Sequence, residues 1–172
     1  MSEVTSLNIE IERKFLIKYP NIEDLKEKYI STTKDMVQTY LVCHNSTRRV
    51  RKITQGGKIS YIFTEKKRIN ALSCFENEFE ITEHEYDELL KEADPLRSPI
   101  NKTRIAFEYK NHTLEIDLYD FWSDKAILEI ELENENEAFE VPPDICIIKE
   151  VTDDKRFKNV NLSLCHDFTI IE

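Results

Sequence analysis

The sequence predicts an α+β domain whose main part is an antiparallel β-sheet that closes into a barrel. About eight segments have the apolar–polar alternation, or the β-branched and aromatic content, that is typical of strands. Short turns join most of these segments, and few segments have the spacing of a helix. A sheet of this size must close or be covered in order to hide its edge strands. At 172 residues, the chain is most simply a single domain over residues 1–172.

The first half of the chain is expected to supply four strands and one helix. A helix over residues 19–30 is predicted from its apolar residues at helical spacing. Gly56 and Gly57 are the only glycines, and their pairing between two strand patterns indicates a hairpin, because both turn positions can then take a positive φ. The predicted strands are residues 9–15, 37–43, 47–53 and 59–64.

The second half is expected to add four strands and one helix. Thr82 and Glu85 have the spacing of a capping box, so a helix should begin after Thr82 and end before Pro95. A hairpin is expected around residues 110–112. The tail from residue 134 onwards gives no clear element. The predicted strands are residues 73–81, 100–109, 113–119 and 125–133.

The composition indicates a globular protein and disfavours duplex nucleic acid as the main ligand. Lys and Arg number 24 against 34 Asp and Glu, which gives a net charge of −10, whereas duplex-binding proteins are usually basic. No apolar run approaches the roughly 20 residues of a membrane span, and residues 1–8 lack the pattern of a signal peptide. Four widely spaced cysteines predict reduced thiols and a cytoplasmic location, and they are Cys43, Cys74, Cys146 and Cys165.

Most predicted strands carry charged side chains on one face. Glu10, Glu12 and Lys14 share a face of the first strand, opposite Ile9, Ile11 and Phe15. Similar charged faces recur downstream at Arg49 and Arg51, Thr64 and Lys66, Glu76 and Glu78, Lys102 and Arg104, Glu115 and Asp117, and Glu129 and Glu131. Periodicity leaves open whether these faces meet water or line the barrel. Lining side chains would need divalent cations for the carboxylates and a polyanion for the Lys and Arg residues.

The segment Glu10-Ile11-Glu12-Arg13-Lys14 resembles the ExExK signature of the CYTH superfamily, the triphosphate tunnel metalloenzymes. Further segments occur in the family's order, so the resemblance extends from about residue 8 to 165 and is far more specific than one motif. They are Gln38-Thr39-Tyr40-Leu41, Arg49-Val50-Arg51, Thr64-Glu65-Lys66, Glu76-Asn77-Glu78, Lys102-Thr103-Arg104, Glu115-Ile116-Asp117, Glu129-Ile130-Glu131 and residues 150–159. The resemblance implies a closed eight-stranded antiparallel β-barrel with a charged tunnel and a few peripheral helices.

The resemblance also implies roles for individual residues. The metal ligands would be Glu10, Glu12, Asp117, Glu129 and Glu131. Lys14 would act in catalysis with Glu10, Glu12, Glu129 and Glu131, and the triphosphate would be bound by Lys14, Arg49, Arg51, Lys66, Lys102 and Arg104. Glu76, Glu78 and Glu115 would lie on the tunnel wall, and Lys155 and Arg156 would close one mouth. Each of these side chains also has an alternative as an ordinary surface ion pair or exposed residue.

The activity that the resemblance implies is hydrolysis of a triphosphate with Mg²⁺ or Mn²⁺, two ions being expected. Inorganic triphosphate is the first choice of substrate, and nucleoside triphosphates are a further one. A class IV adenylate cyclase and a thiamine triphosphatase remain alternatives, because all of them bind the same triphosphate group. A non-enzymatic polyphosphate-binding module ranks lower, since the four glutamates expected to bind metal are all present. Whether the protein is a monomer or a homodimer stays open.

Two positions depart from the family pattern. Glu65 stands where an apolar residue is more frequent in the family, and Cys74 stands where an Arg is frequent. None of the histidines (His44, His84, His112 and His166) belongs to the motif set, so we expect no catalytic histidine.

Overall fold

The chain forms a closed barrel of eight antiparallel strands, which confirms the predicted fold class. The computed structural model describes residues 8–70 and 72–164. The barrel strands are β1 (Asn8–Lys18), β2 (Ser31–Leu41), β3 (Thr47–Gln55), β4 (Lys58–Arg68), β5 (Ser73–Ile81), β6 (Ile100–Tyr109), β7 (His112–Tyr119) and β8 (Lys125–Glu131). They follow the order β1, β5, β4, β3, β2, β6, β7, β8, and β8 pairs with β1 again.

Strand β1 closes the barrel because it changes partner along its length. Its residues 8–11 pair with β5, and its residues 12–18 pair with β8. This register places Glu12 opposite Glu131 and Lys14 opposite Glu129. A short strand, β9 (Ile147–Glu150), pairs with the remaining edge of β1. The strand that carries the ExExK segment therefore joins the two ends of the sheet.

The charged faces of the strands point into the barrel, and the apolar faces point outwards. One outer core packs Leu114 and Leu128 against Leu25 of helix α1 (Ile22–Lys28). A second outer core packs Val50 and Phe63 against Tyr86 of helix α2 (Glu83–Leu90). Because helices and loops cover the apolar faces, the charged faces can occupy the interior.

One end of the barrel is filled by a segment that we call the C-terminal plug, residues 155–164. It consists of a 3-10 helix (Lys155–Phe157) followed by the short helix α3 (Asn159–Leu162). Phe157 and Leu162 are fully buried against Leu16, on the same face of β1 as Lys14, and against Ile127 of β8. Arg97 ties the plug to the β6 side, since its guanidinium donates to the Val160 carbonyl and, at 3.1 Å, to the Ser163 hydroxyl.

The local signals in the sequence are confirmed. The Thr82 hydroxyl accepts from the Glu85 amide at 3.2 Å, and the Glu85 carboxylate accepts from the Thr82 amide at 2.7 Å, which forms the capping box. Gly56 and Gly57 have φ angles of 56° and 78°, as a hairpin turn with two positive φ angles requires. Lys110 and Asn111 form the second such turn, with φ angles of 48° and 66°.

The element bounds differ from the prediction where the sequence is polar. Strand β2 begins at Ser31, six residues before the predicted start, because residues 31–36 pair with β6 without presenting a continuous apolar face. Helix α1 is shorter than predicted, since the backbone of Tyr29 is already extended, with φ −123° and ψ 136°. The tail also contains β9 and the plug, neither of which has a strong pattern in the sequence.

Arg13, which interrupts the alternation of β1, holds β9 and the loop that precedes β9 against the barrel. Its guanidinium donates to the Glu150 carboxylate at 2.8 and 2.5 Å. The same group lies 4.8 Å from the ring centre of Phe139, in a cation–π contact. This residue of the ExExK segment therefore faces away from the lumen.

Three of the predicted thiols can be placed. Cys43, Cys74 and Cys146 are free cysteines, whereas Cys165 and His166 lie outside the described residues. No helix in residues 8–70 and 72–164 combines the length and the apolar character needed to cross a membrane.

Candidate active site

The barrel lumen contains a cavity of about 280 Å³ with a highly charged wall. All eight barrel strands and the C-terminal plug contribute to its lining. The charged lining residues are Glu10, Glu12, Lys14, Lys34, Arg49, Arg51, Lys66, Arg68, Glu76, Glu78, Lys102, Arg104, Glu115, Glu129, Glu131 and Lys158. The strand alternation thus brings together side chains that are far apart in the sequence.

Asp117 lies beneath two of the cations and fixes their positions. Its carboxylate is fully buried and accepts from Lys102 Nζ at 2.5 Å and from Arg104 at 2.6 and 2.8 Å. Arg104 continues to Glu129 at 2.7 Å and also pairs with Glu115. Burial and the charge of Arg104 lower the pKa of Lys102 to about 8. Arg104 and Lys102 hold the pKa of Asp117 low despite its burial, so the carboxylate is ionised.

Lys14 projects between two glutamates at the middle of β1. Its Nζ lies 2.7 Å from the Glu129 carboxylate and 3.7 Å from the Glu12 carboxylate. Burial alone would lower the pKa of Lys14, but the charges of Glu129 and Glu12 outweigh burial and raise it. The Lys14 amide donates to the Thr152 hydroxyl at 3.0 Å, which fixes the backbone at this point. Lys14 is therefore a permanent, well-positioned cation.

Arg49 and Arg51 present unsatisfied donors inside the barrel. The Nε atom of each guanidinium is buried and lacks a hydrogen-bond acceptor within the described residues. Arg51 donates at 3.3 Å to Thr64 and forms an ion pair with Glu78. Burial and the neighbouring charge of Arg49 lower the pKa of Arg51 to about 10. Buried donors without acceptors are costly, so this pair is suited to an anionic ligand.

Glu10, Glu76 and Cys74 form a compact group of potential metal ligands. One ligand atom from each lies within 4.8 Å of the others. Lys66 currently bridges the two glutamates and lies 2.7 Å from Glu76. Burial raises the pKa of Cys74 to about 11, so its thiol is protonated at neutral pH. Burial and the hydrogen bond with Glu76 also raise the pKa of Glu10.

The carboxylates on β7, on β8 and on the part of β1 that pairs with β8 lie close enough to repel one another. Glu131 is exposed and lies directly opposite Glu12 in the β1–β8 pairing. Partial burial of its carboxylate among the neighbouring strands and the charge of Glu10 raise the pKa of Glu131. Burial and the charge of Glu129 raise the pKa of Glu115 to about 7. Oxygen donors that repel one another in this way fit a hard divalent cation such as Mg²⁺ or Mn²⁺.

The structure brings most of the predicted site residues together at the cavity. Asp117 is the first exception, because it lies behind the wall under Lys102 and Arg104 rather than with the crowded glutamates. Lys155 and Arg156 are also outside the cavity lining: both are exposed, and Arg156 donates at 2.6 Å to Asp154. Phe157, the next residue, fills the barrel end instead.

Sequence reasoning missed three cations of the cavity, namely Lys34, Arg68 and Lys158. Lys34 follows the alternation of β2, but this signal is visible only if the strand begins at Ser31. Lys158 lies in the tail, where no periodicity indicates direction. Of the two departures from the family pattern, Cys74 lines the cavity, and Glu65 instead accepts from the Ser46 hydroxyl at 2.5 Å.

Comparison with solved structures finds several related barrels. The inorganic triphosphatase NE1496 is 29% identical with a TM-score of 0.57, and the match covers 91% of this chain and 95% of that protein. The PH1819 protein from Pyrococcus horikoshii OT3 is 22% identical with a TM-score of 0.56, over 74% of this chain and 80% of that one. An adenylate cyclase candidate from Bacillus halodurans is 16% identical with a TM-score of 0.52, over 74% and 82%. The latter two likenesses concern the fold alone.

Comparison with curated proteins finds no match. The family model of the CYTH domain matches residues 8–157, which is most of the chain and includes every charged residue of the cavity wall except Lys158. The chain belongs to the CYTH domain family.

Proposed function

We propose that the protein is a metal-dependent triphosphatase whose main substrate is inorganic triphosphate. The observation that carries this proposal is the pairing of buried, unsatisfied guanidinium donors on Arg49 and Arg51 with a group of crowded carboxylates in one lumen. Donors of this kind require an anion, and the carboxylates require cations. A metal-bound triphosphate supplies both. The likeness to the inorganic triphosphatase NE1496 over almost the whole chain supports the same activity.

The cations of the lumen bind and orient the phosphate chain. Guanidinium groups bind phosphate oxygens through two parallel hydrogen bonds, whereas Lys acts as a point charge. The set is Lys14, Arg49, Arg51, Lys66, Lys102 and Arg104. Because carboxylates hold most of this set in place before substrate arrives, the cations can stabilise the negative charge of the transition state without large rearrangement. In this proposal Asp117 positions Lys102 and Arg104 rather than binding metal.

The glutamates would hold the divalent ions that CYTH triphosphate tunnel enzymes require. We assign this role to Glu10, Glu12, Glu129 and Glu131, and two Mg²⁺ or Mn²⁺ ions are expected. When bound, such ions polarise phosphoryl oxygens and lower the pKa of a water molecule. Lys14 and Arg104 keep the pKa of Glu129 well below its ordinary value despite burial, so this carboxylate is ionised.

The volume and the lining of the cavity favour inorganic triphosphate over a nucleotide. Its volume of about 280 Å³ is at the small end of ligand sites, which usually measure roughly 300–1,000 Å³. Among the described residues, Tyr40 is the one aromatic side chain in the lining of this cavity, and it is buried. The described wall thus offers no exposed ring on which a nucleobase could stack. A class IV cyclase or a thiamine triphosphatase would need additional contacts to the organic group.

An assay of the purified protein with Mg²⁺ and with Mn²⁺ tests the proposal. Phosphate release is compared for inorganic triphosphate, ATP and thiamine triphosphate, and formation of cyclic AMP from ATP is measured alongside. We expect inorganic triphosphate to give the highest kcat/KM. Cyclic AMP as the main product would refute hydrolysis. Tight binding of triphosphate without hydrolysis in the presence of either Mg²⁺ or Mn²⁺ would indicate that the protein is a non-enzymatic polyphosphate-binding module instead.

Two substitutions separate the assigned roles. Glu131→Gln removes a metal ligand and should lower kcat about a hundredfold or more, with an unchanged circular dichroism spectrum. Glu133→Gln is the matched control, because Glu133 is exposed two residues further along and lies outside the cavity lining. Arg51→Ala should instead raise the KM about tenfold or more, since it removes a phosphate contact. A fully active Glu131→Gln variant would contradict the assignment.

A further inference from the structure

The C-terminal plug places one charged side chain in the cavity, that of Lys158. The residues on either side fix its backbone: Phe157 is fully buried, and the Asn159 side chain accepts from the Tyr119 hydroxyl at 2.6 Å. Lys158 itself is half-buried and lines the same cavity as Lys14 and Arg68. Its position is therefore set by the plug rather than by a barrel strand.

Lys158 differs from most other cations of the lumen because it forms an ion pair with none of the described carboxylates. Lys14, Lys66, Lys102 and Arg104 each pair with a carboxylate. Within residues 8–70 and 72–164, the side chain of Lys158 forms no hydrogen bond or ion pair, and neither does that of Arg68. Burial and the positive charges of Arg68 and Lys14 lower the pKa of Lys158 to about 8. These effects outweigh the attraction of the carboxylates of Glu12 and Asp153. The neighbouring cations therefore repel its charge, and a bound anion would relieve the repulsion.

We propose that Lys158 and Arg68 form an anion subsite at the plugged end of the cavity, which binds a terminal phosphate group of the substrate. The inference rests on the proposed function and adds a specificity element to it. A terminal phosphate carries more negative charge than an internal one, so it is the group best matched to two cations that pair with none of the described carboxylates. An esterified phosphate carries less negative charge than a terminal one and would therefore match the two cations less well.

Binding and kinetics of Lys158→Met test the subsite. We expect the Kd for tripolyphosphate, measured by calorimetry without divalent metal, to rise about tenfold. The KM for tripolyphosphate should rise by a similar factor, with kcat within about twofold of the wild type. Lys158→Arg should restore most of the affinity because it restores the charge. Lys155→Met is the matched control, since Lys155 is exposed on the same plug and lies outside the cavity lining.

A second variant covers the case in which Lys158→Met does not fold. Arg68 lies on the barrel strand β4, and Arg68→Met should raise the Kd for tripolyphosphate by a comparable factor. Wild-type Kd and KM in folded Lys158→Met would overturn the inference, as would a loss that Lys158→Arg does not restore. If the wild type binds tripolyphosphate without hydrolysing it, the calorimetry still decides the subsite while the proposed activity fails. If the wild type does not bind tripolyphosphate, both proposals fail.

Discussion

Asp117 shows how a single buried charge organises the cation side of the lumen. Its carboxylate touches no solvent and accepts hydrogen bonds from both Lys102 and Arg104. Burial and the positive charge of Arg104, two residues along the same face of β6, lower the pKa of Lys102 even though Asp117 attracts it. Without substrate, the stability of this arrangement depends on the negative charge of Asp117.

Asp117→Asn should therefore destabilise the fold strongly. Removing one partner of a buried ion pair typically costs about 3–5 kcal/mol, because the remaining charge stays buried. Urea unfolding should show a loss of this size. Asp120→Asn is the control, since Asp120 is exposed in the turn directly after the same strand and its substitution should change stability by less than about 0.5 kcal/mol.

A double-mutant cycle with Lys102→Met tests whether the cost is electrostatic. Asp117→Asn should lower the pKa of Lys102 further, so the lysine can lose its proton, and the double variant should be less destabilised than the sum of the single ones. Additive free energies of unfolding would show that Asp117 acts through packing alone.

At the scale of elements, the C-terminal plug replaces a charged barrel end with an apolar core. Phe157 and Leu162 are completely buried against barrel residues that continue the inward faces of β1 and β8. Burial of this kind holds the two short helices in place, since neither is long enough to be stable alone. The plug in turn determines where Lys158 and Asn159 stand.

Phe157→Ala should cost about 3–5 kcal/mol in free energy of unfolding, because it leaves a cavity in a fully buried cluster. Phe79→Ala is the matched control, since Phe79 is 48% exposed on β5 and should lose much less. Chemical unfolding of both variants measures the difference. Equal losses for the two phenylalanines would contradict a packed plug.

The attachment of β9 should depend on pH through Glu150. The hydrogen bond from Arg13 lowers the pKa of Glu150 in the folded protein. The pair therefore stabilises the fold above the ordinary Glu pKa, about 4.3, and this contribution is lost as the pH falls through the lower, folded value. The difference in melting temperature between the wild type and Glu150→Gln should be present at neutral pH and vanish in acid. The same difference for the exposed control Glu140→Gln should be small throughout.

The elements that the sequence predicts well are those whose apolar and polar residues recur at a regular spacing. Alternation locates the barrel strands, and Thr82, Glu85 and Gly56 determine local geometry that depends on few neighbours. Alternation alone could not state that Glu10 and Glu12 point inwards, because a solvated face has the same pattern. The family motifs supplied that direction. Lys158 lies within the family-like segment 150–159, but neither the alternation nor the family roles indicated its direction, because that direction depends on the packing of Phe157.

At the scale of the whole molecule, substrate binding should stabilise the barrel. The lumen contains guanidinium donors that find no acceptor in the part of the chain that the structure describes. A ligand that binds only the folded state adds about 2.7 kcal/mol of stability at a concentration of a hundred times its Kd. Tripolyphosphate with Mg²⁺ should therefore raise the melting temperature by about 5–10 °C. Sodium chloride at matched ionic strength is the control. Chelation of the metal should abolish turnover while leaving part of the shift, because the Lys and Arg residues still bind the anion.

The pairing of β1 with β8 has a consequence for the order of folding. Residues 12–18 of β1 pair with residues 125–131 of β8. The first strand to be synthesised can therefore complete its pairing only after β8, the last strand of the barrel, has been synthesised. Loop closure over such a distance is slow, and helices or hairpins formed from neighbouring segments should precede it. Glu12 and Glu131 meet only when the ring is complete. A nascent or truncated chain that lacks β8 can therefore contain the whole ExExK motif and still be catalytically inactive.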